Sequence, residues 1–243
     1  MERFFRSAQA RLHAVLLYGA AAVWALPGVG TGQAYAGTDT VLFAGPKEAA
    51  AAVGLLLRDG GVHCRVTLLD ATHAMTAGHC VRDPGGNSPL ENLSIGWSDG
   101  HHTRVTDVAL VPGFRYDSYL RATHDVLVED VAVVRIAPPV DMPPLNLFRA
   151  EGRSGKAWVI DGDGEGWEEC PFEERGGDPA LLWLGCTRDP GQSGSPVVVM
   201  SGDRADVIGM VIARAPQGGL FAHRVGPTLG RLLWNKTGED KRP

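Results

Sequence analysis

Ala137-Pro138-Pro139-Val140-Asp141-Met142-Pro143-Pro144 is the stretch that divides this chain. Proline fixes φ and has no backbone N–H, so the segment cannot hold a helix or an interior strand. Apolar, β-branched runs recur on both sides of it. Before it lie Val53–Leu57, Cys64–Leu69, Leu93–Trp97, Val105–Val111 and Val131–Ile136; after it lie Ala157–Ile160, Leu181–Leu184, Val197–Met200, Val207–Ile212 and Leu220–Val225. Turn signals separate them, among them Asp59-Gly60-Gly61, Asp83-Pro84-Gly85-Gly86, Ser98-Asp99-Gly100 and Pro216 to Gly219. Short strands at this spacing point to antiparallel sandwiches or barrels. The proline-rich stretch then reads as the connector between two small β-domains, 37–140 and 141–243. Ala49–Leu57 stays ambiguous, because its alanines are also good helix formers. Leu229, Leu232 and Leu233 fall at helical spacing after Gly226-Pro227, which predicts a short terminal helix packed on the second domain.

Residues 1–36 read as a leader. Arg3, Arg6 and Arg11 precede the apolar run Ala14–Leu26, and Ala34-Tyr35-Ala36 has the small-x-small form of a signal cleavage site. The run is short for a membrane span, which needs roughly 20 residues. The leader takes three Arg and one Glu from totals of 23 basic and 28 acidic residues, leaving 20 against 27. An acidic chain without a basic run is not built to hold nucleic acid. The four cysteines, Cys64, Cys80, Cys170 and Cys186, all follow the leader, and an even count in that setting favours disulfides. Three pairings are possible, and each half of the chain holds two of the cysteines. A metal site built on His63-Cys64 and His79-Cys80 is the rival. It is disfavoured because adjacent strand residues point to opposite faces.

Three stretches carry chemistry. P-G-Q-S-G-S-P, Pro190 to Pro196, sets Ser193 on a glycine-flanked turn that runs into a strand. Such turns also join ordinary strands, and a serine hydroxyl is a weak nucleophile without a base and a site for negative charge. T-A-G-H-C, Thr76 to Cys80, supplies His79, and D-V-A-V-V-R-I, Asp130 to Ile136, supplies a carboxylate at the head of a strand. Asp125, after His124, is a rival to Asp130. Of the remaining histidines, His63, His73, His101, His102, His124 and His223 read as surface or structural. Asp161, Asp163 and Glu165 alternate with glycines like part of a calcium loop. The twelfth position that should be glutamate is Phe172, so they read as an acidic turn.

Taken in chain order, His79 then Asp130 then Ser193, the three stretches resemble the trypsin- and chymotrypsin-like serine peptidases, most nearly the bacterial branch that includes the glutamyl endopeptidases. The likeness spans roughly Val53 to Leu233. It implies an all-β fold of two antiparallel six-stranded barrels, with the site in the cleft between them and a short C-terminal helix. It implies Ser193 as nucleophile, His79 as base, Asp130 as orienting carboxylate, and an oxyanion hole from the N–H groups of Gly191 and Ser193. It also implies a Cys64–Cys80 disulfide holding His79 in place. The implied function is a secreted or periplasmic, monomeric endopeptidase that acts on protein or peptide substrates. No cofactor, metal, nucleic acid or membrane beyond the leader is implied.

Two departures from the family pattern stand out. Gln192 occupies the place where the animal digestive enzymes carry an aspartate that pairs with a freed N-terminal amine. A neutral amide cannot make that ion pair, so activity is expected without a released N-terminus. In the specificity pocket, Thr187 stands where a trypsin-like aspartate would, and no histidine lies in Gly209–Ile212 as glutamyl enzymes require. Arg188 and Arg214 are candidates for attracting an acidic side chain, and Leu220 is a candidate pocket floor favouring small apolar ones. The alternatives of another class are an inactive binding protein on the same scaffold and an α/β-hydrolase esterase. The esterase would place its histidine after the serine and needs a parallel sheet with long helices.

Overall fold

The structure, a computed structural model, describes residues 33–34, 45–85, 88–117, 123–149, 152–162, 166–174, 178–187 and 190–239. Nearly all of the expected leader, and Arg188, Asp163 and Glu165 with it, lie outside these. In chain order the first elements are β1 (Gln33–Ala34), α1 (Pro46–Ala49), a 3-10 turn at Ala50–Ala52 and β2 (Val53–Arg58). The ambiguous alanine stretch is therefore split, with helical turns first and a strand from Val53. β3 (Gly61–Asp70), β4 (His73–Thr76), β5 (Leu93–Gly96), β6 (His102–Leu110), α2 (His124–Glu129) and β7 (Ala132–Ala137) follow. Strands β2-β3-β4-β7-β6-β5 close into a six-stranded antiparallel barrel. The β2–β3 hairpin turns on Asp59-Gly60, both at positive φ (50° and 81°). That conformation matches the right-handed twist of the strands it joins, which is why Asp-Gly is favoured there. Register shifts at Leu56/Leu57 in β2 and Val105/Asp107 in β6 bend the strands so that the sheet can close on itself.

The second half contains β8 (Asn146–Arg149), β9 (Ser154–Ile160), β10 (Trp167–Glu174), β11 (Leu181–Leu184), β12 (Pro196–Ser201), β13 (Arg204–Arg214), β14 (Leu220–Arg224) and α3 (Pro227–Glu239). Strands β13-β12-β9-β10-β11-β14 form a second six-stranded antiparallel ring, closed by the β13–β14 pairing. β8 adds to β13 in parallel, and β1 adds to β8. β1 lies on the leader side of the expected cleavage after Ala36, so a chain trimmed there lacks it. Together the two barrels make the general architecture of the chymotrypsin-like fold. The parallel, helix-flanked sheet of an α/β-hydrolase is not what these residues form.

The proline-rich connector is laid along the first barrel. Val140 N–H donates to Ala71 O and Leu145 N–H to Leu68 O, each carrying a buried side chain. Both disulfides are local, Cys64–Cys80 in the first half and Cys170–Cys186 in the second. Loops of this length are worth about 3 kcal/mol each in the chain-entropy model. The terminal helix differs from expectation in its partner. α3 makes its main packing with β6 and β7 of the first barrel, burying Leu229 and Leu232. Val105, Val108 and Leu110 of β6 are partly buried against the apolar cluster that contains both leucines, so the helix adds its apolar face to that cluster. Among the described residues no helix is long and apolar enough to cross a membrane.

Candidate active site between the barrels

β4 ends at Thr76, Ala77 continues extended, and Gly78–Cys80 makes a single 3-10 turn that carries His79. The turn is tight against its neighbours. A Cβ on Gly78 would meet the Phe114 ring at 2.8 Å and Asp130 Oδ1 at 3.2 Å. Asp130 stands where α2 stops and just ahead of β7. Its carboxylate accepts two bonds from one residue. His79 N–H donates to Oδ1 at 2.9 Å, and the imidazole Nδ1 lies 2.7 Å from Oδ2. Both side chains are buried, at 1% and 4% exposure. A carboxylate can only accept, so the contact places the proton on Nδ1 and leaves the lone pair on Nε2. The Tyr116 ring packs beside the imidazole, centroids 5.4 Å apart. Asp125 is on the exposed side of α2, against its neighbour His124.

The turn that carries Ser193 is fastened to both barrels. Gly191 and Gly194 adopt left-handed φ values of 91° and 96°. From the first barrel, Arg65 N–H donates to Ser193 O at 2.7 Å and the Thr67 hydroxyl donates to Gly194 O at 3.2 Å. From the second, Val211 N–H donates to Ser195 O, and Gly194 N–H donates to Val211 O. Ser193 Oγ is half-buried and 3.4 Å from Ile212 O, a long hydrogen bond. Cys80 Sγ lies 3.9 Å from Ser193 O; as a disulfide sulfur it has no proton to donate, so this is packing. The Cys64–Cys80 bridge thus joins the residue before Arg65 to the residue after His79, so one cross-link braces the histidine turn and the strand that anchors the serine turn.

His79 and Asp130 are therefore in direct contact, and the Ser193 turn is docked on the strand bonded to His79's neighbour. Of the specificity candidates, Arg214 and Leu220 face each other across the β13–β14 pairing, and Leu220 also pairs with Leu184, three residues before Thr187. Thr187 is exposed after Cys186, and Arg214 is exposed at the end of β13. Leu220 is 2% exposed and belongs to the core of the second barrel. The sulfurs of the two His-Cys pairs are consumed by the disulfide, so they cannot act as thiolate ligands.

No protein-family model matches this chain, and no curated protein matches it either.

Sequence reading gave Arg65 and Asp161 no part in the site, and it read His223 as surface or structural, which its burial supports. Arg65 and Asp161 meet beneath the serine turn, and His223 on β14 reaches α2, where its Nε2 lies 3.1 Å from Val128 O. Their partners are distant in sequence, and nothing local marks them. His223 ties the second barrel to the helix that ends at Asp130. Burial pushes its imidazole below the ordinary value of 6.5, outweighing the Val128 carbonyl and the Asp130 and Asp178 charges, which pull the other way. A lowered folded value means the unfolded chain binds the proton more readily. His223's contribution to stability is therefore complete above about pH 6.5 and is lost as the pH falls from there through the folded value. Urea unfolding from pH 8 to 5 should show that decline in the wild type and a shallower one in His223→Gln. Equal slopes would rule out His223 as the source.

Proposed function

We propose that this chain is a secreted serine endopeptidase of the chymotrypsin-like type, nearest in its motifs to the bacterial branch. The observation that carries the reading is the buried, two-bond contact of His79 with Asp130, in a fold that docks a glycine-flanked serine turn on the adjacent strand. In this mechanism His79 Nε2 takes the proton of the Ser193 hydroxyl as its oxygen attacks the carbonyl carbon of the scissile peptide bond. The imidazolium that forms is stabilised by Asp130, which keeps its own charge. The negative charge on the former carbonyl oxygen is met by N–H groups of Gly191 and Ser193. The C–N bond then breaks, and His79 returns the proton to the leaving amine, giving an acyl-enzyme. Water, activated by the same histidine, hydrolyses the ester and restores the serine. The disulfides suit an oxidising compartment, and the leader-like first 36 residues supply a route to it.

The test is a fluorophosphonate probe, which phosphonylates an activated serine. Labelling of the oxidised wild type, absent in Ser193→Ala and in the heat-unfolded protein, supports the hydrolase. A folded wild type that does not label points instead to a binding protein on the same scaffold.

A further inference from the structure

Gln192 cannot pair with a freed N-terminus, yet its side chain is buried and fully engaged. Its amide Nε2 donates to Asp161 Oδ2 at 2.6 Å, and its Oε1 accepts from the Ser195 hydroxyl at 3.0 Å. The other carboxylate oxygen, Oδ1, accepts from Arg65 Nε at 2.5 Å and from Gly162 N–H at 2.8 Å. The same guanidinium extends Nη1 to the Gly191 carbonyl, at 3.3 Å. Arg65 and Asp161 are both nearly buried, with side-chain exposures of 11% and 8%. Burial alone would raise the Asp161 carboxyl. The bonds from Arg65 and Gln192, the Arg65 charge and the Gly162 N–H outweigh that and hold it below its ordinary value. It is therefore a carboxylate at neutral pH, able only to accept, which fixes the Gln192 amide nitrogen toward it.

A single chain of polar contacts thus runs from β3 of the first barrel through the end of β9 to the turn between Gly191 and Ser195. It grips the turn at the Gly191 carbonyl, the Gln192 side chain and the Ser195 hydroxyl. We infer that Asp161, charged and oriented by Arg65, is the positioning residue for the Gly191–Ser193 oxyanion turn, doing from inside the fold what a released N-terminal ammonium does in the digestive enzymes. This rests on the proposed function. It extends that reading, because it makes the turn's geometry a property of the folded chain with no dependence on a cleavage event. A buried ion pair is weak support for stability in general. Its stronger use is to give one defined arrangement to a turn whose glycines would otherwise permit several.

The test compares wild type, Asp161→Asn and Gln192→Glu in the full chain. Asp161→Asn keeps the size and removes the charge that Arg65 grips. Gln192→Glu replaces the amide donor by an oxygen facing Asp161. Each should lower kcat and the fluorophosphonate labelling rate by about 100-fold, the scale of a small misplacement of reacting groups. KM for a peptide substrate should change little, since a misplaced oxyanion turn weakens the transition state more than the ground-state complex. Amide hydrogen exchange at 190–195 should accelerate in both variants while the strand cores stay protected. If the wild type labels and both folded variants label and turn over at the wild-type rate, the positioning role is wrong. A drop confined to melting temperature overturns it equally. A wild type that never labels sinks the hydrolase reading itself, a separate failure visible in a separate sample.

Discussion

Asp130→Asn is expected to lower kcat by about 10⁴-fold while leaving the protein folded and KM little altered, the scale known for removing the charge behind a triad histidine. The geometry explains why so small a change should cost so much. Asp130 accepts both the main-chain N–H and the ring Nδ1 of His79. An amide keeps one acceptor oxygen but turns the other position into a donor. The asparagine can still satisfy the His79 N–H through its oxygen, but its NH₂ then faces Nδ1. The imidazole would respond by carrying its proton on Nε2, and a nitrogen that already holds a proton cannot take one from Ser193. The variant should therefore recover activity as the pH is raised, when hydroxide can take over from the disabled base. Turnover of a peptide substrate across pH 6 to 10 checks this. An Asp130→Asn variant within tenfold of the wild type at pH 7 would remove Asp130 from the proposed mechanism.

Gly194→Ala should be the most disruptive single methyl group in the turn. Gly194 sits at a φ of 96°, and a Cβ there would lie 1.8 Å from Arg65 O and 2.8 Å from Thr76 Oγ1. The first is main chain in the barrel wall and has no rotamer by which to retreat. The backbone conformation alone costs about 1–3 kcal/mol for a side chain-bearing residue, and forcing the wall apart adds about 1–3 kcal/mol. Together these correspond to a fall of about 10 °C in melting temperature for a chain of this size. The natural control is Gly202→Ala. Gly202 is also at positive φ, 62°, in the β12–β13 turn, but a Cβ there meets nothing within 4 Å. It should lose only the conformational term and keep full labelling. Calorimetry on the pair, alongside fluorophosphonate labelling, separates steric conflict from backbone strain; equal losses in the two variants would refute the close approach to Arg65.

Much of the architecture was legible from turns and apolar runs, because each β-strand of a small barrel must bury one face and be bounded by residues that reverse the chain. The runs at Val53, Cys64 and Val207 extend outward in the structure by only a few residues. β4 escaped notice because all four of its residues are buried, so no alternation marks it. β10 was hidden for the opposite reason. Its sequence W-E-E-C-P-F-E-E is half glutamate and carries a proline, and only Cys170 and Phe172 reach the core. Pro171 has no N–H to give, yet its carbonyl accepts from Gly185 N–H at 2.8 Å. At the candidate site, His79, Asp130 and Ser193 could be nominated because each sits in a short motif. The residues that fix the serine turn could not. Arg65 and Asp161 are 96 positions apart, and Asp161 and Gln192 are 31 apart. A glycine-spaced acidic turn gives no sign that its first carboxylate is turned inward to a guanidinium.

The docking of α3 also bears on when the molecule can begin to exist. A chain leaves its site of synthesis from the N-terminus, and domains usually fold in that order. Here the half made first keeps an apolar strip over β6 and β7 open until Leu229 and Leu232 have been made. Between β7 and that strip's cover lies the whole second barrel, with the serine turn inside it. The early half keeps that face uncovered until α3 arrives. A nascent chain stalled before Pro227 carries all three residues of the proposed triad but lacks the helix that packs on β6 and β7 of the barrel holding two of them. The cover of the first barrel's outer face is then delivered only after the serine turn has been made.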